Sequence, residues 1–186
     1  MKLFKITLIL LISFNTSFKV ISANDFKSIL KDGGKLIFIR HAYAPGGGDP
    51  DNFDISNCAS QRNLNEEGIE QAKKIGNFFF KKKIMIDKIL SSEWCRCKQT
   101  AEHAFKNYET KSFLNSFFSQ KFADNKEKQI KELKEYIKKW NGKSNLIFVT
   151  HYVVILEILN ISVSSGEIVV ADKDFNILAR QKNLNN

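Results

Sequence analysis

The stretch Lys35-Leu36-Ile37-Phe38-Ile39-Arg40-His41 decides the reading of the fold. Leu36 to Ile39 is a compact apolar run, suited to a strand buried on both faces. It delivers Arg40 and His41 at its C-terminal end. Asn145-Leu146-Ile147-Phe148-Val149 repeats the pattern and delivers Thr150 and His151. Ile86-Asp87-Lys88-Ile89-Leu90 reads as a third strand, ending at Ser91-Ser92.

Helical patterns lie between these runs. Asn24 to Leu30 reads as a short helix stopped by Asp32-Gly33-Gly34. Asn65, Glu66 and Glu67 open an amphipathic helix carrying Ile69, Ala72, Ile75, Phe78 and Phe79 at helical spacing. Another helix carries Thr100, Ala101 and Ala104. Asp124 to Trp140 is strongly periodic, and Val153 to Leu159 follows the second buried run. Glu167–Ala171 and Phe175–Ala179 read as a hairpin turning at Asp172-Lys173-Asp174. Strands alternating with helices predict an α/β three-layer sandwich, with a mainly parallel sheet and helices on both faces. Sites in such sheets form outside the carboxyl ends of the strands. Three strands converge there on Arg40-His41, Ser91-Ser92 and Thr150-His151.

The 186 residues fit one domain, and 43% hydrophobic content allows a sizeable core. Residues 1–23 read as a signal peptide. Lys2 and Lys5 precede an apolar run from Ile6 to Phe14, and Ser22-Ala23 offers a cleavage point. The run is short for a bilayer span. The expectation is therefore an exported protein, periplasmic or secreted, with one domain over residues 24–186 and no stable membrane anchor. The formal charge of +9 falls to +6 without the three lysines of residues 1–23. The remaining lysines read as solvated faces, and no nucleic-acid-binding motif accompanies them. Of the three cysteines, Cys95 and Cys97 are too close in sequence to pair without strain, so a disulfide is expected from Cys58 to either one. No zinc-ligand spacing is present, and no metal or other cofactor is expected.

Histidine can attack phosphorus when one ring nitrogen is unprotonated and the other is held. The guanidinium fork matches phosphoryl oxygens and keeps its charge. A His–Arg cluster can therefore supply most of what phosphoryl transfer needs.

Four motifs in order extend this reading. They are Leu36-Ile37-Phe38-Ile39-Arg40-His41, Arg62-Asn63-Leu64-Asn65-Glu66-Glu67-Gly68-Ile69-Glu70-Gln71-Ala72, Ser91-Ser92-Glu93-Trp94-Cys95-Arg96-Cys97-Lys98-Gln99-Thr100-Ala101, and Val149-Thr150-His151. Together, over residues 35–160, the chain resembles the histidine phosphatase superfamily, which includes phosphoglycerate mutases and many phosphatases. The resemblance implies His41 as nucleophile and His151 as the second histidine of the pocket. It implies Arg40 and Arg96 as clamps on the phosphoryl group, with Arg62 either structural or an extra anion contact. The implied partner is a small phosphorylated substrate, and the implied reaction is metal-independent phosphomonoester hydrolysis through a phosphohistidine. A phosphomutase and a non-catalytic phosphoryl-binding member are the alternatives. Resemblance to a periplasmic branch that includes lipopolysaccharide-core heptose phosphatases makes envelope sugar phosphates one substrate option. Small scavenged esters are another.

The chain departs from the family pattern in three places. Ala42 stands where Gly usually follows the nucleophile, and a positive φ there would be disfavoured. Tyr152 replaces a small or polar residue after the second histidine. Asn115 or Ser116 falls where many members carry a general-acid Glu. Asp49, in the loop Pro45-Gly46-Gly47-Gly48-Asp49-Pro50, is the candidate acid, ahead of Asp124 and Glu93.

Overall fold

The computed structural model describes residues 23–182 and 184. The expected signal peptide lies, but for its final residue Ala23, outside the described residues. The elements run α1 (Ala23–Lys31), β1 (Leu36–Arg40), α2 (Glu66–Lys81), β2 (Ile86–Ser91), α3 (Cys95–Phe105), β3 (Glu109–Thr110), α4 (Gln120–Ala123), α5 (Lys126–Lys139), β4 (Asn145–Thr150), α6 (Tyr152–Leu159), β5 (Ile168–Ala171) and β6 (Ile177–Gln181). The sheet order is β3-β2-β4-β1-β5-β6. β3, β2, β4 and β1 are parallel, and β5 and β6 add an antiparallel edge.

β1 is buried on both faces because its alternate residues serve two cores. Leu36 and Phe38 pack with Leu133 and Ile137 of α5 and Val154 and Ile155 of α6. Ile37 and Ile39 pack with Phe26 of α1, Ile75 and Phe79 of α2, and Ala101 of α3. Phe38 stacks on Phe148 of β4 at 4.9 Å between ring centroids. Burying each such ring contributes roughly 1.5–3 kcal/mol. The α/β sandwich with helices on both faces is thus the observed architecture.

Parallel pairing of β1 with β4 matches Leu36 to Leu146 and Arg40 to Thr150. His41 and His151 are each the next residue, so the register sets them side by side. The His41 amide donates to the Thr150 carbonyl at 2.9 Å, and the Ser92 amide donates to the Val149 carbonyl at 2.9 Å. Register alone therefore gathers the three strand ends.

The Asn65 carboxamide caps α2 by accepting from the Gly68 amide. Gly76 lets α2 lie against α3, since a Cβ there would stand 2.0 Å from the Ala104 carbonyl oxygen.

Two expected elements shift. The Asp124–Trp140 helix begins at Lys126, behind the separate short α4. The second strand of the hairpin begins at Ile177 rather than Phe175. The Asp172 carboxylate accepts from the Asp174 and Asn176 amides, and Phe175 takes φ 64°, so the turn is two residues longer. No helix among the described residues is long and apolar enough to cross a membrane.

Candidate active site

A cavity of about 430 Å³ opens above the carboxyl ends of β1 and β4. Arg40, His41, Asp49, Arg62, Arg96 and His151 all line it. The structure therefore brings these six candidate residues to one place from separate segments of the chain.

His41 is buried, and its Nδ1 lies 2.8 Å from the Ala42 carbonyl oxygen. A carbonyl only accepts, so Nδ1 carries the proton and Nε2 is the unprotonated nitrogen. Burial, then the charge of Arg96, hold His41 well below the ordinary histidine value. The same two causes, in the same order, act on His151. The two rings stand 5.5 Å apart, edge to face. His151 Nε2 lies 2.9 Å from Ser92 Oγ, which anchors the ring on the β2 end. Ser92 has one hydroxyl proton and two acceptors in reach, this nitrogen and Asn115 Oδ1. Given to His151, that proton leaves Nδ1–H free to donate.

The cations are built in differently. Arg96 is 3% exposed, and its Nε has no partner among the described residues. Its NH1 and NH2 donate to Asp49 Oδ1 and Oδ2 at 2.6 and 3.2 Å. Arg40 donates NH1 to the Val163 carbonyl at 2.8 Å, and its Nε is also buried without a partner. Buried guanidinium N–H groups normally find acceptors, so a pocket that leaves two unpaired fits an anion. Arg62 donates Nε to Gly48 O at 2.9 Å, and NH1 to Ala44 O and Gly46 O. It thereby holds the glycine-rich loop at the rim of the cavity.

Asp49 accepts from Arg96 and also from the Trp94 indole N–H at 3.1 Å. Trp94 is a site residue that sequence reasoning misses, since nothing in the sequence ties it to a residue 45 positions away. Ala42 is fully buried and is not among the non-glycine residues with positive φ, so its side chain brings no backbone strain. The Ala42 amide donates to Thr100 Oγ1 at 2.9 Å, and that hydroxyl donates to the Arg96 carbonyl. Glu93 accepts from Asn115 Nδ2 at 2.6 Å. Neither Glu93 nor Asp124 lines the cavity.

Other motif residues support the site from outside it. Gly68 admits the Tyr43 carbonyl, Gln71 accepts from the Tyr43 amide and donates to Ser165 O, and Gln99 accepts from the Leu64 amide. Cys58 pairs with Cys95, tying the loop before α2 to the start of α3. Cys97, two residues further round the helix, is free and buried, and burial pushes its thiol up to about 12. Among the described residues, no group of three or more His, Cys, Asp or Glu side chains is placed to hold a metal.

The structure is similar to that of the protein histidine phosphatase SixA complexed with tungstate, at 15% identity and TM-score 0.56, covering 80% of this chain and 96% of that one. It is also similar to phosphoglycerate mutase from Thermus thermophilus, at 14% identity and TM-score 0.55, covering 78% of this chain and 97% of that one. Both likenesses are of fold. No curated protein sequence matches the chain. Residues 36–146 match the family model of the histidine phosphatase superfamily (branch 1), which spans from β1 through α2 and α3 to the start of β4. The chain belongs to the histidine phosphatase superfamily, branch 1.

Proposed function

We propose that the protein hydrolyses phosphomonoesters through a phosphohistidine on His41, without a metal. The observation that carries this is the state of His41. Its Nδ1 is tied to the Ala42 carbonyl, which leaves Nε2 unprotonated, and the residue lines a cavity ringed by three arginines. In the first step Nε2 forms a bond to phosphorus while the ester P–O bond breaks. Arg40, Arg96 and His151 hold the non-bridging oxygens, with Arg62 at the rim. Asp49, a carboxylate against Arg96 before substrate enters, takes the proton of the substrate monoanion and gives it to the departing oxygen. In the second step water oxygen bonds to phosphorus as the P–Nε2 bond breaks, Asp49 takes the water proton, and phosphate leaves. Three guanidinium groups supply the charge that a metal would otherwise supply. Residues 1–23 would direct export, placing the substrate outside the cytoplasm.

The test is hydrolysis of p-nitrophenyl phosphate in excess EDTA, with a His41→Ala variant alongside. Turnover is expected to persist in EDTA and to fall at least about 10³-fold in the variant. Activity surviving in His41→Ala removes the nucleophile, and loss in EDTA removes the metal-free step.

A further inference from the structure

The cavity has two chemically distinct ends. Its floor is cationic, formed by Arg40 and Arg96 around the two neutral histidines. Its outer wall is aromatic, formed by Phe53, Trp94, Phe118, Phe122 and Tyr152. We propose that this wall selects phosphomonoesters whose alcohol carries an aromatic ring, over esters of polyhydroxylated alcohols. The proposal rests on the cationic floor being the phosphoryl site.

Three of the rings already form a cluster. Phe53 stacks on Trp94 at 4.9 Å, and Phe122 meets Trp94 at 5.3 Å and Phe53 at 5.5 Å, both edge to face. These separations lie within the range in which aromatic pairs attract, and a further ring can extend the array. The cluster reaches the floor itself, since Trp94 lies 5.6 Å from the His151 ring. Trp94 itself is only 2% exposed, so the aromatic surface offered to a ring on the ester alcohol is that of the half-buried Phe53 and Phe122 packed on it. Phe118 adds a phenyl group 70% exposed at the cavity mouth. Single exposed rings are ordinary on protein surfaces; this one borders the site.

Three polar groups that stand among these rings are already engaged. The Trp94 indole donates to Asp49, Ser116 Oγ accepts from the Phe118 amide, and the Tyr152 hydroxyl is 3.3 Å from Ser162 Oγ. A hydroxyl placed against these rings would lose water and find those three groups taken, whereas a flat ring loses little there.

Non-hydrolysable phosphonates separate the two ends. Calorimetric titration would compare inorganic phosphate, methylphosphonate, hydroxyethylphosphonate and benzylphosphonate. Benzylphosphonate is expected to bind about ten-fold tighter than methylphosphonate, as burial of one phenyl group implies, with hydroxyethylphosphonate no better than methylphosphonate. Phe118→Ala, an exposed position that folding does not need, is expected to reduce the benzyl advantage at least about three-fold and to leave phosphate binding unchanged. Equal binding of the three phosphonates would overturn the selectivity while leaving the phosphoryl site standing. A benzyl advantage unmoved by Phe118→Ala would overturn the placement of the ring. Failure of every anion to bind, phosphate included, would overturn both this proposal and the phosphoryl site beneath it.

Discussion

Arg96 and Asp49 face each other across 2.6 Å, on residues 47 positions apart, with both side chains largely withdrawn from solvent. A phosphoryl group entering the cavity competes with the carboxylate for the same guanidinium. Substrate binding would then free Asp49 beside the departing oxygen, where a proton donor is needed. Asp49→Asn keeps the shape and removes the proton transfer. It is expected to slow hydrolysis of alkyl phosphates by about 10²–10⁴-fold, and of p-nitrophenyl phosphate far less, because nitrophenolate leaves without a proton. Steady-state rates on the two ester types check this. An equal loss on both would assign Asp49 only to positioning Arg96. At this scale the sequence is legible where the strand pattern carries it. His41 and His151 follow from the ends of two apolar runs. Trp94 and the Asp49–Arg96 pair do not, because they depend on how one loop folds back over another.

The loop between β1 and α2 is an element without regular structure, apart from a turn at Cys58–Ser60. It is held at several points. Arg62 binds three of its carbonyls, Gln61 accepts from the Cys95 amide, and the Cys58–Cys95 disulfide closes a separation of 37 residues. Chain-entropy arguments put the contribution of such a closure at about 3–4 kcal/mol. Replacing Cys58 and Cys95 by Ser together is expected to lower unfolding free energy by about that amount in a urea titration. The KM should also rise, since the loop carries Arg62 at the cavity rim. An unchanged midpoint would show that the loop is held by its hydrogen bonds alone. The long periodic elements, β1, β4 and α2, are readable from sequence because burial imposes their spacing. β3, with two residues, and α4, with four, are too short to carry a period. The hairpin turn is longer than its sequence suggests because Asp172 hydrogen bonds reshape it locally.

Taken whole, the molecule gathers two buried histidines and three arginines in one region at the carboxyl ends of β1 and β4, and this ties stability to pH. His41 and His151 are each held well below 6.5, by burial first and by Arg96 second. The unfolded chain takes up protons at these residues near 6.5, before the folded one does. Their contribution is therefore complete above 6.5 and is lost as pH falls below it toward the depressed values. The slope is at most about 1.4 kcal/mol per pH unit for each histidine. Urea titrations at about pH 7.5 and about pH 5.5 should show the loss, and a His41→Asn/His151→Asn double variant should flatten it. The same slope in the variant would move the effect to other groups.

The central claim concerns His41 itself, and the phosphoenzyme tests it most directly. Protein mixed with a rapidly cleaved aryl phosphate, quenched in alkali and digested, can be mapped by mass spectrometry. One phosphoryl group is expected on the peptide containing His41, labile in acid and absent from His41→Ala. An acid-stable phosphoryl group, or one on any other residue, would contradict it.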